Sequence, residues 1–276
     1  MEQIIARLFE QLKSTSNLIE AETFIYGEFT HFMSEMAGDI LTSLDKELEM
    51  EKRLEGWKRV RSDSRTLTFL FGPVEFTHTL MRTPEGDTVY PIHEFLGLRP
   101  RQKYTPAVEL KVAETASKQT YRETAKTVAG WTPVEMSHTA VGTIVKRVGK
   151  AQADWDRERV REMEEAAFLP EGKKVDFLFA EADGVHVKGT REKNSHEVHH
   201  AVLYEGWKKN GKRVSLHSPM AILTTQSSPA FWNEVQVLTA SVYSLENTRV
   251  VTNSDGGMGI REKNSRPLFP SPFSLL

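Results

Sequence analysis

The chain has 276 residues, of which 39% are hydrophobic and 27% charged, and its formal net charge at pH 7 is −2. This composition is ordinary for a globular protein with one large or two average domains. The absence of cysteine excludes disulfide bridges, cysteine zinc sites and thiol nucleophiles. The start MEQIIARLFEQLK lacks the apolar stretch of a signal peptide, and no later run is long enough to span a bilayer. We therefore expect a soluble, cytoplasmic protein.

Positive charge is concentrated in one segment. Residues 98–150 contain ten Lys or Arg and four Glu, a net charge of +6, against −8 for the remainder of the chain. A local basic surface of this kind can neutralise several phosphates, which is the sequence-independent part of DNA affinity. A solvated helical face would explain the same charges, so both interpretations stay open at this point.

The N-terminal region, residues 1–60, is predicted to be helical. Apolar residues recur at helical spacing from Ile4 to Leu12, and a second stripe runs from Phe32 to Leu54. A stripe of this kind normally packs against neighbouring helices or against a second subunit. The sequence therefore predicts a helical region with a structural role.

A β pattern replaces the helical one after Arg65. The segment TLTFLFGPVEFTHTLMR contains two β-rich runs broken at Gly72 and Pro73, and the residues from Pro84 to Asp87 carry turn chemistry. We expect a small β-hairpin unit over residues 61–98. The pattern assigns no chemistry to this unit, and it supports at most an accessory contact to DNA or to the helices.

Residues 99–166 return to a helical pattern. A short helix that ends near Gly130 is followed by the turn TPVEM and by a second helix, for which Ser137 is a natural N-cap. This order predicts a helix-turn-helix, and a plain helical hairpin fits it as well; residues 154–166 predict a charged connector helix. In a helix-turn-helix the second helix enters the major groove of DNA. The side chains that would meet bases or phosphates are His138, Thr139, Thr143, Lys146 and Arg147.

The β pattern returns after Lys174. VDFLFAEADGVHV, HEVHHAVLYEGWKK and RVSLHSPMAILTTQ predict three strands in a meander, with Asn210-Gly211 as the turn between the last two. A helix follows, and TRVVTNSDGG predicts a fourth, buried strand that ends at Asp255. This is the opening order of the ribonuclease-H-like fold. We predict a mixed α+β chain in which residues 167–260 form an incomplete ribonuclease-H-like core and residues 261–276 an irregular tail.

Two Asp-Gly motifs close β-rich runs, at Asp183 in EADGVHV and at Asp255 in NSDGG. In the predicted fold the fourth strand lies beside the first, which brings the two carboxylates together. Carboxylates placed in this way can hold two divalent cations that act on a phosphodiester. Glu181 alternates onto the same strand face as Asp183 and is an auxiliary candidate ligand. Asp-Gly is also common turn chemistry, which is the alternative for both motifs.

A resemblance to a known family rests on five segments: VYPIHEFLGL, SKQTYRETAKTVAG, EADGVHV, HAVLYEGW and NSDGG. Over residues 60–258 the chain resembles the ISLre-type insertion-sequence transposases. The resemblance implies a helix-turn-helix and a DDE-type site in which Asp183 and Asp255 are the first two metal-binding carboxylates. It implies Mg²⁺ or Mn²⁺ as cofactor, and DNA cleavage and strand transfer at element ends as activity. We expect double-stranded DNA of the element's terminal repeats as partner, and a homo-oligomer.

The family pattern also includes a third acid on a helix well downstream, which is missing here. After Asp255 the sequence contains one acid, Glu262, and GTREKNS at 189–195 recurs as GIREKNS at 259–265. We interpret this repeat as a junction and expect a truncated copy with weak or no catalysis, because the acids of such a set act as a unit. The alternatives are a non-catalytic DNA-binding protein that recognises element ends or antagonises an intact transposase, and a product that folds poorly.

Overall fold

The computed structural model describes residues 2–166, 172–188 and 195–253. The chain divides into two compact units, Met1–Gly149 and Lys150–Leu276. Helices and strands are mixed along the chain, which confirms the predicted α+β class. Asp255 and the predicted tail lie outside the described residues.

The first unit begins with helices, and its last helix continues past the unit boundary at Gly149. The prediction of a helical N-terminal region is confirmed by two helices, the second of which begins at the N-cap Asn17, where the side chain accepts a hydrogen bond from the Glu20 amide. The helix bounds are α1 (Glu2–Leu12), α2 (Leu18–Leu54), α3 (Pro91–Phe95), α4 (Pro106–Ala116), α5 (Tyr121–Trp131) and α6 (His138–Glu165).

The second predicted helix of the helix-turn-helix and the predicted connector form one continuous helix, α6. The stretch GKAQA that joins them, residues 149–153, contains no proline. Its single glycine disfavours a helix by only about 1 kcal/mol relative to alanine, which is too little to end one.

An antiparallel sheet in the order β1-β2-β3 lies between α2 and α3 in the chain. The predicted hairpin is confirmed, but its turn consists of Leu70 and Phe71, whereas Gly72 and Pro73 already belong to the second strand. Gly72 has a φ of 129°, a conformation that glycine adopts without steric cost, and it closes the turn. The strand bounds are β1 (Lys58–Phe69), β2 (Gly72–Arg82) and β3 (Thr88–Val89).

Helix α2 packs against this sheet. At Gly38 the helix comes so close to β2 that an added Cβ would overlap the backbone oxygen of Glu75. Part of the predicted stripe is not used in this contact, because Met36 and Ile40 are exposed. The core that joins helix and sheet contains Leu41, Leu44, Leu48, Leu67, Phe76 and Ile92.

Helices α4, α5 and α6 surround a second core in the same unit. The predicted N-cap of α6 is confirmed, since Ser137 Oγ accepts a hydrogen bond of 3.1 Å from the Ala140 amide. Thr105 and Thr120 cap α4 and α5 in the same way. The buried residues of this core are Val108, Val112, Val134, Val141 and Ile144.

The second unit contains a mixed four-stranded sheet in the order β8-β5-β4-β9. Strand β5 is antiparallel to both β8 and β4, and β9 runs parallel to β4. A helix, α7, leads from β8 towards β9, and its Phe231, Val235 and Leu238 are buried in the core with residues of the sheet. The bounds are β4 (Phe177–Lys188), β5 (Ser195–Tyr204), β6 (Trp207–Asn210), β7 (Arg213–Leu216), β8 (Met220–Thr224), α7 (Ser228–Ala240) and β9 (Arg249–Asn253), with a 3-10 turn at Leu245–Asn247.

The third predicted strand is in fact two strands, β7 and β8. Between them Ser218 has a φ of 50°, and Pro219 lacks an amide hydrogen, so the strand pairing is interrupted. Strands β6 and β7 form a separate hairpin around Gly211. The predicted turn therefore closes this small hairpin, and β8 provides the third strand of the main sheet.

Candidate functional site

The Asp183-Gly184 motif does not close its strand, contrary to the prediction, and forms no turn. Asp183 lies within β4, exposed and opposite His200 of β5. The pairing with β5 continues to Lys188, which keeps Gly184 in the strand. The Asp183 Oδ1 accepts a hydrogen bond of 2.8 Å from the amide of Gly184. The Glu197 carboxylate of β5 lies close to Gly184: a Cβ there would come within 2.5 Å of it, so the Glu197 side chain would have to move aside. The carboxylate of Asp183 is thus held at the surface of the sheet, where a ligand from solvent can reach it.

Glu181 lies two residues before Asp183 on the same strand, so both carboxylates belong to the same face of the sheet. Its Oε1 accepts a hydrogen bond of 2.7 Å from the Tyr204 hydroxyl. Burial and this hydrogen bond raise the pKa of Tyr204 to about 12, so the phenol keeps its proton at neutral pH. Tyr204 therefore orients the Glu181 carboxylate as a hydrogen-bond donor.

The register of β4 and β9 relates the two Asp-Gly motifs. The strands are parallel neighbours, and Glu181 is paired with Asn253, the last residue of β9. Along the chain Asp183 follows Glu181 by two residues, and Asp255 follows Asn253 by two residues. Because Asp255 lies outside the described residues, the structure does not give its distance from Asp183. In the described ranges no three His, Cys, Asp or Glu side chains are grouped as metal ligands.

The first turns of α6 present the predicted DNA-contacting residues. His138, Thr139, Thr143 and Lys146 are exposed. They alternate with Val141 and Ile144, which are buried in the core of α4–α6. The helix therefore offers one polar face to solvent.

Arg147 differs from the other four residues, because it is paired within the protein. Its guanidinium forms an ion pair with Glu109 of α4, a buried carboxylate whose side chain is 6% exposed. Arg99 Nη2 donates to both oxygens of the same carboxylate, at 2.9 and 2.8 Å. The sequence pattern shows Glu109 only as one of the four Glu of residues 98–150 and does not reveal this ion pair, because the partners of Glu109 are far away in the chain.

A loop that the sequence analysis did not single out lies beside this ion pair. Its residues 99–103, RPRQK, separate two open clefts, and Pro100 and Arg101 line both. The cleft on the side of α6 has a volume of about 350 Å³. The sequence signal that could have identified this loop is its three cations and its proline, because proline and charge together mark an exposed loop.

The other cleft is lined by a polar cluster between β1, β2 and α3. Arg65 Nη1 lies 2.7 Å from His93 Nε2, and His78 Nδ1 lies 3.0 Å from the same nitrogen. Burial, followed by the charge of Arg65 and by His78, lowers the pKa of His93 to about 4. The His78 ring stacks on Tyr90, and the His93 ring contacts Tyr90 at a tilt of 30°. The cluster is an aromatic and cationic wall, and its histidines are neutral at pH 7.

The sequence profile of UPF0236, an uncharacterised protein family, matches residues 11–269. The chain belongs to this family. A UPF0236 protein in the vanSb 3′ region of Streptococcus gallolyticus is 29% identical over 256 residues, which cover 93% of this chain and 55% of that protein. A UPF0236 protein of Caldanaerobacter subterraneus subsp. tengcongensis is 24% identical over 229 residues, 81% of this chain and 45% of that protein.

The chain thus spans about half the length of the curated relatives that it matches. A further UPF0236 protein of the same Caldanaerobacter strain, 24% identical over 227 residues, has a name that combines eleven numbered designations. In the part of the chain that the structure describes, no helix has the length and apolar character to cross a membrane.

Proposed function

We propose that the chain is a DNA transposase of an insertion sequence, related to the ISLre type, which binds the ends of its element and acts on them through a metal-dependent acidic site. The observation that carries the proposal is the register of the second sheet. Glu181 and Asn253 are partners on parallel neighbouring strands, and each precedes an aspartate by two residues. Asp183 lies within β4, two residues beyond the last pair of β4 with β9. We propose that Asp255, two residues after the same pair, provides the neighbouring carboxylate.

The strand order supports the same proposal. A sheet of order β8-β5-β4-β9, with one parallel pair at β4 and β9 and α7 between β8 and β9, is the order of the first four strands of a ribonuclease-H-like core. In that core the acids that hold the metal lie on the strands that correspond to β4 and β9. We assign Asp183, which lies on β4, to the first of these acids.

The acidic donor set fits a hard divalent cation, because Mg²⁺ and Mn²⁺ prefer carboxylate oxygens. Asp183 and Asp255 would hold it, with Glu181 nearby on the same face. A bound cation would supply activation of a water or of a terminal 3′-hydroxyl and would neutralise charge on the leaving oxygen. The chain's own contribution is to hold the Asp183 carboxylate through the Gly184 amide and that of Glu181 through Tyr204.

Helices α5 and α6 support the DNA-binding part. They are separated by a short turn, α6 begins at a capped N-terminus, and its first turns expose polar residues in a segment of net charge +6. This is the arrangement of a helix-turn-helix, in which α6 would enter the major groove.

The names of the relatives are consistent with a mobile element. A name that combines eleven numbered designations from one strain indicates a protein present in many copies in one genome. Insertion sequences multiply in this way because each transposition can add a copy.

A second candidate function is DNA binding without cleavage. It is favoured by α6, whose first turns expose His138, Thr139, Thr143 and Lys146, because contacts from these residues need no acidic site.

The test is cleavage of duplex DNA that carries candidate element ends, with Mg²⁺ or Mn²⁺, by the chain and by its Asp183→Asn variant. Asp176→Asn is the matched control, since Asp176 is an exposed aspartate one residue before β4. We expect nicking that is lost in Asp183→Asn and kept in Asp176→Asn. Gel shifts of the same samples separate the two candidates: binding without nicking supports the second, and nicking that survives Asp183→Asn overturns the acidic site.

A further inference from the structure

The loop between α3 and α4 places three cations in five residues, Arg99, Arg101 and Lys103. It follows Gly97, which has a φ of 62°, and ends at Thr105, the N-cap of α4. Charged loops of this kind are usually mobile and bind weakly, because ordering them costs conformational entropy. The question is therefore whether this loop is held in place.

Hydrogen bonds from β1 hold the backbone of the loop. Arg65 Nη2 donates to the carbonyl oxygens of Arg99 and Gln102, both at 3.2 Å. The amide of Thr68 donates to the Lys103 carbonyl at 2.8 Å, and the Thr68 carbonyl accepts from the Thr105 amide at 3.0 Å. The loop is therefore attached to the sheet on both sides of Arg101.

A buried side chain within the loop strengthens this attachment. Gln102 is 7% exposed; its Oε1 accepts from the Arg99 amide at 3.0 Å, and its Nε2 donates to the Tyr104 carbonyl at 2.8 Å. A buried amide with both ends bonded fixes the local backbone. The loop conformation is thus determined before any ligand arrives.

The three cations of the loop have different surroundings. Arg99 turns inwards to Glu109. Arg101 and Lys103 are exposed and form no ion pair with another described residue. Arg101 has a φ of 56°, a left-handed conformation that non-glycine residues rarely adopt and that is often kept at binding sites. The fold therefore presents two unneutralised cations on a rigid support.

These cations meet the first turns of α6 at one cleft. The Thr143 hydroxyl on α6 already donates to the Thr139 carbonyl at 3.1 Å, so the donors for an anion are the cationic groups. Arg147 and Arg99 share the negative charge of Glu109, so the cleft remains positive. Its volume is about 350 Å³. The lining residues are Arg99, Pro100, Arg101, Gln102, Lys103, Tyr104, Ala140, Thr143, Ile144 and Arg147.

We propose that this cleft is a clamp for the phosphodiester backbone of duplex DNA, in which Arg101 and Lys103 bind phosphate beside the groove that α6 reads. The proposal rests on the DNA binding of the proposed function and adds a site outside the helix-turn-helix itself. Guanidinium, ammonium and hydroxyl groups are the usual donors to DNA phosphates. Such contacts fix the position of the protein on the duplex and carry no sequence information.

The experiment measures duplex binding by fluorescence anisotropy over a series of KCl concentrations, with a random-sequence duplex as probe. The test variant is the double substitution Arg101→Ala and Lys103→Ala. The matched control is Lys111→Ala with Lys118→Ala, which removes the same charge from α4 and from the turn after it, where both lysines are already paired with Glu114. Each phosphate contact contributes about 0.9 to the slope of log K against log salt. We expect the test variant to lower the slope by about 1.8 and the control to change it by less than half as much.

The outcomes separate the clamp from the proposed function. If the wild type binds duplex DNA and the test variant keeps its slope, or the control loses as much, the clamp is wrong while DNA binding stands. If the wild type binds no duplex, or binds single-stranded RNA more tightly, the DNA-binding function itself is overturned. Thermal unfolding of each variant verifies folding, and Arg101→Lys with Lys103→Arg, which keeps both charges, is expected to retain the slope.

Discussion

Glu109 of α4 and Arg147 of α6 form an ion pair in the first unit, and the carboxylate is almost completely buried. Arg99 donates to the same carboxylate from the loop before α4. One acid therefore joins two helices and a loop. Arg147, which the sequence places among the DNA contacts, has a partner inside the protein, and its contact with DNA stays a prediction.

Replacement of Glu109 is expected to destabilise the first unit. Glu109→Gln removes the charge that balances two arginines; loss of one partner from a buried pair costs about 3–5 kcal/mol. Because both guanidinium groups keep contact with water, we expect a smaller loss of about 2 kcal/mol in the free energy of unfolding, measured by urea denaturation. Glu123→Gln, in an exposed pair with Lys126, is the control and should change stability by less than about 0.5 kcal/mol. Equal effects of both substitutions would contradict the role of the buried pair.

Arg101→Gly is expected to change stability and DNA binding in opposite directions. A left-handed conformation costs a non-glycine residue about 1–2 kcal/mol, and glycine relieves it at a smaller cost in the entropy of the unfolded chain. We expect unfolding to become harder by about 0.5–1 kcal/mol while duplex binding weakens. Arg101→Ala keeps the backbone cost and should weaken binding without raising stability. A stability gain in both variants would show that the backbone of Arg101 is not the cause.

The stability of the first unit is expected to fall as the pH drops from about 6.5 to about 4. The pKa of folded His93 is lowered to about 4, first by burial and then by Arg65 and His78, whereas an unfolded histidine titrates near 6.5. Between these values the unfolded state binds a proton that the folded state does not, so the free energy of unfolding decreases with falling pH. The pKa of His78 is lowered for the same main reason and adds to the effect.

The measurement is urea denaturation of the wild type and of His93→Gln at pH 7.5 and pH 5. The difference in pH dependence between the two proteins gives the contribution of His93 alone, because the carboxylates titrate in both. The variant should lose less stability between the two pH values. A wild type and variant with parallel pH dependence would show that His93 does not titrate differently in the folded state.

Two glycines of α2 are expected to respond oppositely to the same substitution. At Gly38 an added Cβ would overlap the Glu75 backbone oxygen, whereas at Gly27 nothing lies within 4 Å. Alanine is favoured over glycine in a helix by about 1 kcal/mol, so Gly27→Ala should stabilise by about that amount. Gly38→Ala should destabilise by about 1–3 kcal/mol, because the helix must move away from the sheet. Thermal unfolding of both variants tests the contact; a gain at Gly38 would mean that α2 does not approach β2 so closely.

Local signals in the sequence predicted the elements well where chain neighbours decide them. The N-terminal helices, the Ser137 cap and the hairpin around Gly72 are confirmed, since each depends on residues a few positions apart. Part of the predicted apolar stripe is exposed, at Met36 and Ile40. The two wrong details, the position of the hairpin turn and the single third strand, have local causes too. The chain turns at Leu70 and Phe71, one step before the glycine, and Ser218 interrupts a run that reads as a single strand.

The sequence by itself determined the mixed class and the order of elements, because periodicity and turn chemistry act over short distances. It predicted that Asp183 ends a strand, whereas in the structure Asp183 lies within β4. Only the tertiary structure decided that Glu109 lies between Arg99 and Arg147, that Arg65 holds the carbonyls of a basic loop, and that Glu181 is in register with Asn253. These contacts join residues that are far apart in the chain, and the sequence offers each of these residues many partners of matching charge or strand pattern. Packing of the cores decides which partners come together, because it alone brings them within bonding distance.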